Sequence, residues 1–340
     1  MVQCDGRTAT RTGEGFGGAA EQMTDAILGL LTCPGCQRTF DPSSRSPEEL
    51  VCRGCGRRVP VMNGIPRFVD TPATDEARRT QASFGYEWTH FNDWRPSGST
   101  NFNDYFAGVD LGSLRNALVL DAGCGMGRHA VQIAPHVRAL VAVDFSLAIE
   151  QAAKNTSPHR NVSCVQADLT ALPLRDAAFD YAYSLGVLHH IRDTESTLRR
   201  LVSKVKPGGR VRVYLYWKRA GISGALLSLV SAVRRVTTRL PLPLLRVLCW
   251  LLSVVLYAGV ILPYKALTAA GIRAHAGWPL FVYSKYPFTV LYNDQFDRFS
   301  APIEKRYSAE EVRALLARAG LADISVQPCF GWVGEGVRTA

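Results

Sequence analysis

The chain has 340 residues, of which 47% are hydrophobic and 20% charged, with 29 Gly and 18 Pro. That is globular usage, enough for one large domain plus an appendage, and it excludes a disordered, collagen-like or coiled-coil protein. The 39 Lys and Arg against 29 Asp and Glu give a net charge of +10, which invites an anionic partner, nucleic acid or membrane, depending on where the bases sit.

Residues 1–27 mix Gly, Thr, Arg and Glu with no apolar period and read as a disordered lead-in, with Met23 an alternative start. The segment lacks the apolar stretch of a secretory signal, and the odd count of nine cysteines suits a reducing compartment, so a cytoplasmic location is expected. Over residues 28–70, Cys33, Cys36, Cys52 and Cys55 form C-x2-C-x15-C-x2-C with a Gly inside each pair. Four thiolates at that spacing suit a tetrahedral, structural Zn2+ that folds a module too small for its own core. Two disulfides or an iron–sulfur cluster are the alternatives. Asn63-Gly64 between apolar residues predicts a tight hairpin in the same β-rich module.

Residues 71–116 read as a polar linker as far as residue 82, followed by an aromatic cap from Phe84 to Phe91 that should dock on something. From Ala117 apolar strands alternate with turns and helical periods, which predicts a parallel sheet covered by helices on both faces. The expected strands are 117–121, 140–144, 162–167, 179–185 and 210–216, in a domain built from residues 117–217 and 301–340. Leu198, Leu201, Val202 and Val205 mark a helix stopped by Pro207-Gly208-Gly209. Ser308 and Glu311 form a capping box, Gly320 a stop, and 322–328 a closing strand.

Residues 218–300 form an insertion too long for a βα loop. From Lys218 to Asn293 it holds nine Lys or Arg and no acid, so nearly all the net charge lives there, in the most apolar part of the chain. Ile222, Ala225, Leu226, Leu229, Val230 and Val233 make one helical face beside Arg234 and Arg235, and 247–262 is almost continuously apolar. The segment is expected to be a helical lid that contacts a membrane surface through 218–265; a buried hairpin or homodimer face, and a transmembrane anchor, are the alternatives. Charge concentrated in an apolar segment makes nucleic acid the weaker partner.

Leu118 to Gly127 is an apolar strand running into Gly123-x-Gly125-x-Gly127. A dinucleotide fingerprint would need Gly where Arg128 stands, and the Gly-Lys-Ser/Thr of a P-loop is missing. The next strands end in Asp144, placed to accept two hydrogen bonds from ribose, and Asp168, placed for an exocyclic amine. Together they predict a nucleoside ligand without pyrophosphate.

At these residues the chain resembles the class I S-adenosylmethionine-dependent methyltransferases. The matching pieces are Asp121 to Gly127, Val143-Asp144, Ala167-Asp168-Leu169, Phe179-Asp180 with Leu185 to His190, and Lys206 to Gly209. The resemblance implies a Rossmann-like α/β sheet and S-adenosylmethionine as cofactor. It implies that the loop with Gly123, Gly125 and Gly127 lies along the methionine moiety, Asp144 at the ribose, Asp168 with Leu169 at adenine, and Ser184 to Gly186 beside the methyl, with Asp121 and Phe145 also among the cofactor-binding residues. His189 and His190 follow the fourth strand and are the candidate proton acceptors. Tyr86, Trp88 and Tyr216 are further lining candidates. No Asn-Pro-Pro-Tyr or Pro-Cys follows that strand, which disfavours two nucleic-acid chemistries. The cysteine segment resembles the zinc ribbon of the tRNA-methyltransferase activator family. The expected function is methyl transfer to a small, apolar or membrane-resident acceptor, with oxygen the first choice; an RNA or protein methyltransferase and a non-catalytic cofactor-binding adaptor are the alternatives.

Overall fold

The computed structural model describes residues 27–40, 48–69, 74–91, 100–218, 221–272 and 278–340. The lead-in over residues 1–26 lies outside them, as do the side chains of Ile222, Ala225, Leu226 and Leu229 in the expected helical face. Ile27 does not belong to a lead-in: it is buried in the main core together with Leu28 and Leu31.

The cysteine segment forms an antiparallel sheet of β1 (Glu49–Val51), β2 (Arg58–Met62) and β3 (Ile65–Pro66). The β2–β3 hairpin turns on Asn63 and Gly64, both at positive φ (54° and 74°), as the Asn-Gly pair predicts. The module is fused into the larger domain. Leu31, Phe40, Leu50, Val59 and Phe68 share one core with Leu172 and Leu174. Thr32 N donates to Pro173 O at 2.9 Å, Arg175 N to Leu30 O at 2.8 Å and Phe68 N to Gln166 O at 2.7 Å.

The main sheet has seven strands: β4 (Leu118–Ala122), β5 (Ala139–Asp144), β6 (Val162–Gln166), β7 (Phe179–Leu185), β8 (Val205–Leu215), β9 (Leu321–Pro328) and β10 (Trp332–Arg338). Their order is β6-β5-β4-β7-β8-β10-β9, with only β10 antiparallel to its neighbours. This is the Rossmann-like class I methyltransferase sheet. Every side chain of β4 and β6 is buried, the polar Asp121, Ser163 and Gln166 included, as expected of a sheet covered by helices on both faces.

β10 was not expected from sequence, and it occupies the place between β8 and β9. Arg212, 5% exposed, fastens it: Nη1 donates to Glu335 Oε2 at 2.7 Å, while Nε and Nη2 donate to Tyr105 O and Ala107 O at 2.6 and 2.8 Å. Removing a buried cation strands its partner carboxylate and carbonyls, so Arg212→Ala should lower stability by about 3–5 kcal/mol in urea unfolding. An apolar replacement of Arg212 and Glu335 together should cost far less, because no charge is left alone.

The helices are α1 (Asp75–His90), α2 (Thr100–Tyr105), α3 (Arg128–Ile133), α4 (Ala148–Thr156), α5 (Thr194–Lys204), α6 (Gly221–Thr237), α7 (Leu242–Leu256), α8 (Leu262–Ala269), α9 (Phe288–Ser300) and α10 (Ala309–Arg318). α10 carries the expected capping box of Ser308 and Glu311. The expected linker gives way to α1, capped by Thr74, whose side chain accepts from Ala77 N at 3.2 Å. α1 buries Ser83, Gly85 and Glu87 instead of an apolar stripe, so hydrophobic periodicity could not reveal it. It lies against α9, with Tyr86 and Phe91 packed on Phe296. α7 and α8 run on through a π-turn at Tyr257–Ile261, just ahead of Pro263, whose missing N–H and ring disrupt the regular ladder. A salt bridge from Arg234 to Glu304, 2.6 Å long and buried, ties α6 to the sheet domain.

Candidate active site

Strand order reverses at β4, with β5 on one side and β7 on the other; in such sheets the ligand crevice opens beyond the carboxyl ends of those strands. A cavity of about 2450 Å³ opens there, walled by the glycine loop, the ends of β5–β8, and helices α1 and α9.

The loop after β4 is pinned by Gly123 N and Cys124 N donating to Val143 O at 2.8 and 2.9 Å. Its next amide, Gly125 N, donates to Asp144 Oδ2 at 2.8 Å. Ser146 N and Oγ donate to Asp144 Oδ1 at 2.8 and 2.7 Å. Three of the roughly four acceptor positions of the carboxylate are thus filled from within the chain. Burial raises the Asp144 pKa, opposed by the Ser146 and Gly125 hydrogen bonds.

Gly123, Gly125, Asp144, Phe145, Asp168 and Leu169 all line the cavity. Asp168 also caps the turn after β6 by accepting from Thr170 N at 2.8 Å. Asp121, Gly127 and Ser184 were expected at the cofactor and do not line the cavity. The Asp121 carboxyl is buried under the loop, accepts from Tyr183 Oη at 2.9 Å, and is pushed up to about 8 by burial. Gly127 sits at φ 78°, and a Cβ there would lie 3.2 Å from Ala152 Cα, so its glycine serves packing on α4. Ser184 is fully buried, its hydroxyl donating to Ala122 O at 2.8 Å between β7 and β4, whereas Leu185 and Gly186, expected beside the same point, line the cavity.

The two histidines part company. His189 is sealed behind the wall, its ring 3.8 Å from that of Tyr216, and burial pushes its pKa well down; it is no longer a candidate proton acceptor. His190 lines the cavity. Its Nδ1 donates to Ile303 O at 2.6 Å, which leaves Nε2 as a lone pair in the neutral ring. Nε2 stands 4.0 Å from Asp297 Oδ1, and neither atom has a hydrogen-bond partner among the described residues. Tyr216 Oη donates to Asp297 Oδ2 at 3.0 Å, fixing the carboxylate.

Trp88 and Tyr216 line the cavity as expected, whereas Tyr86 stacks on His90 and faces α9. The acidic residues were missed. Glu87 on α1, and Asn293, Asp294 and Asp297 on α9, line the same chamber. Burial, with Asp297 and Asp294 next in weight, pushes the Glu87 carboxyl well above its usual range. Burial likewise lifts Asp294 to about 6. Polar residues inside an otherwise apolar, acid-free insertion were the available signal for α9.

The sulfurs of Cys33, Cys36, Cys52 and Cys55 lie within 4.8 Å of one another, with Cys36–Cys52 at 3.3 Å and Cys33–Cys55 at 3.6 Å. A tetrahedron of bonds near 2.3 Å sets its sulfurs about 3.8 Å apart, so the cluster fits one Zn2+. Gly54 N donates to Cys52 Sγ at 3.3 Å, the backbone support a thiolate ligand needs.

Residues 120–213 match the family model described as a methyltransferase domain. An uncharacterized methyltransferase of Mycobacterium bovis is 35% identical over 98 residues, covering 29% of this chain and 50% of the relative. The malonyl-[acyl-carrier protein] O-methyltransferase of Pseudescherichia vulneris is 35% identical over 130 residues, covering 38% and 49%. Human N-acetylserotonin methyltransferase, solved with S-adenosylmethionine, superposes with a TM-score of 0.47 at 16% identity, over 79% of this chain and 61% of that one. The chain spans about half the length of the curated relatives it matches. It carries a methyltransferase domain over residues 120–213.

Proposed function

We propose that the protein transfers the methyl group of S-adenosylmethionine to a small acceptor held between α1 and α9. The cofactor residues present fit it: a backbone loop open to the crevice, the Asp144 carboxylate beside it, and the apolar Phe145 and Leu169 flanking the space for a purine. When bound, S-adenosylmethionine supplies an activated methyl, so the chain need only align a nucleophile, exclude water and take a proton. Asp144 would hold the ribose, Asp168 the adenine amine, and the loop from Gly123 to Met126 the methionine end. His190 would take the acceptor's proton at Nε2, with Asp297, held by Tyr216, facing the imidazolium that results.

The observation that carries this reading is the orphaned His190 Nε2 beside Asp297, at the end of β7 and in the cavity that Asp144 also lines. His190→Ala should lower the methyl-transfer rate by roughly 100-fold while cofactor affinity stays put. An unchanged rate in a labelled-methyl assay would remove His190 from the chemistry.

We also propose that Cys33, Cys36, Cys52 and Cys55 hold a structural Zn2+, and that α7 and α8 rest on an anionic membrane surface. By length and composition, the 28-residue helix 242–269, with a hydropathy of 2.2, is the one described helix able to cross a membrane. Leu245, Cys249 and Ser253 face the protein, while Val247, Leu248, Leu251 and Val255 remain exposed on the other side. Arg235 and Arg239 are exposed nearby, in a segment without acids. A surface-lying helix with basic flanks fits that pattern. Vesicles containing phosphatidylglycerol should bind the protein roughly 30-fold more tightly than neutral ones, at about 1 kcal/mol for each of the two arginines. Leu251→Glu with Val255→Glu should abolish the binding. Failure to sediment with either vesicle, with a dimer in light scattering, would assign the face to a second copy.

A further inference from the structure

The cavity is larger than a cofactor and a small acceptor need. A pocket for one small ligand or cofactor holds about 300–1000 Å³. This cavity has about 2450 Å³, so more than half of it is left once S-adenosylmethionine is seated. One part of the remainder carries His190 and Asp297; another is walled by Leu252 and Leu256 of α7 together with Leu280, Val282 and Val290. These five side chains are half-buried. All but Leu252 gather around Ile261, Tyr283 and Leu291, in an apolar cluster separate from the main core. A compact acceptor would leave that wall facing water, whereas a flexible run of methylenes would cover it.

The apolar wall also reaches the outside. On a helix of 3.6 residues per turn, Leu252 and Leu256 sit at the boundary between the buried stripe of Leu245, Cys249 and Ser253 and the exposed Leu248, Leu251 and Val255. Apolar surface therefore continues round α7 from its exposed face into the cavity. Trp278 marks an opening, because it is 47% exposed and lines the cavity as well. Its ring lies 5.7 Å from that of Tyr264 on α8, whose hydroxyl donates to Pro279 O at 3.1 Å. Trp and Tyr, apolar in body and polar at the tip, are the side chains that sit where a membrane meets water.

We propose that the acceptor is a long-chain membrane amphiphile, its head presented to His190 and its alkyl or prenyl tail laid along Leu252, Leu256, Leu280, Val282 and Val290, entering from the bilayer beside Trp278. The inference rests on the methyl-transfer reading and deepens it. The space between α1 and α9 then holds only the head of a longer molecule, and the membrane contact of α7 and α8 becomes the route by which that molecule arrives.

The test uses the full chain, methyl-labelled S-adenosylmethionine and an extract of the cells that make the protein, partitioned after reaction between chloroform–methanol and water. Label should enter the organic phase and elute from a reversed-phase column among long-chain lipids. Leu252→Trp and Val290→Trp, which fill the tail space, should each cut that label at least tenfold, with the affinity for S-adenosylhomocysteine, measured by calorimetry, changed less than twofold. Leu252→Ala, which widens the space, should keep it within threefold. Label confined to the aqueous phase, or to organic species that elute early as short apolar molecules do, would overturn the tail and leave methyl transfer standing. So would tryptophan variants that bind cofactor and label the long-chain fraction as the parent does. Bound cofactor with no label in either phase would also count against the amphiphile. A chain that binds no cofactor in calorimetry would instead defeat the methyl-transfer reading itself.

Discussion

Asp144→Asn should weaken S-adenosylmethionine binding by roughly 10-fold to 100-fold, the loss expected when one hydrogen bond to a charged group is removed. The effect has two sources. An amide cannot give the ribose a charged acceptor, and its NH2 group would be turned toward donors on one side or the other, since Gly125 N approaches Oδ2 while Ser146 N and Oγ approach Oδ1. The glycine loop therefore loses an anchor together with the ligand. Stability should fall by about 1–3 kcal/mol in the same variant. Asp168→Asn, at a partly exposed position where the carboxylate caps a short turn, should cost the cofactor much less. An Asp144→Asn protein that binds as tightly as the parent would take the carboxylate out of the cofactor site.

The second large effect concerns the cysteine cluster. Stripping the metal with a strong chelator, or replacing Cys36 by Ser, should lower the unfolding temperature by on the order of 10 °C, since about 3–4 kcal/mol of stability is tied to the module. The ribbon shares its core with Leu172 and Leu174, so its melting uncovers one face of the main sheet. It should also reach the crevice. Arg67 donates to Gln166 Oε1 at 3.1 Å, and Gln166 Nε2 donates to Phe145 O and Ser146 O at 3.2 and 3.3 Å, next to the serine that holds Asp144. Phe68 and Val69 line the cavity directly. Cofactor affinity should therefore drop with the metal, in parallel with the shift seen by scanning calorimetry. A metal-free chain with unchanged unfolding temperature and affinity would make the ribbon a passenger.

How far the chain could be read in advance depended on whether burial used apolar side chains. β4 to β7 are largely buried and mainly apolar, and the four cysteines declare themselves by spacing. The elements that escaped bury something else. β10 contains Gly334 and Gly336, which look like loop residues. A Cβ at Gly334 would meet Leu316 Cδ1 at 2.8 Å, and one at Gly336 would meet Leu321 Cβ at 2.9 Å, so close approach of α10 and β9 demands the glycines that hide the strand. α1 was masked by polarity, because its inward face is Ser83, Gly85 and Glu87. The cofactor half of the crevice follows a motif contiguous in sequence. The acceptor half is assembled from α1, the end of β7 and α9, more than 200 residues apart along the chain, and no local pattern encodes Glu87 meeting Asp297. His189 and His190 illustrate the limit: adjacent in sequence, one is walled in and the other faces the crevice.

The most direct measurement is a calorimetric titration of S-adenosylhomocysteine into the folded, zinc-loaded chain. One molecule should bind per chain, with heat that S-adenosylmethionine competes away and NAD does not. A folded protein giving no heat with either sulfur nucleoside would contradict the account at its root, because the glycine loop and Asp144 would then frame a crevice for some other ligand.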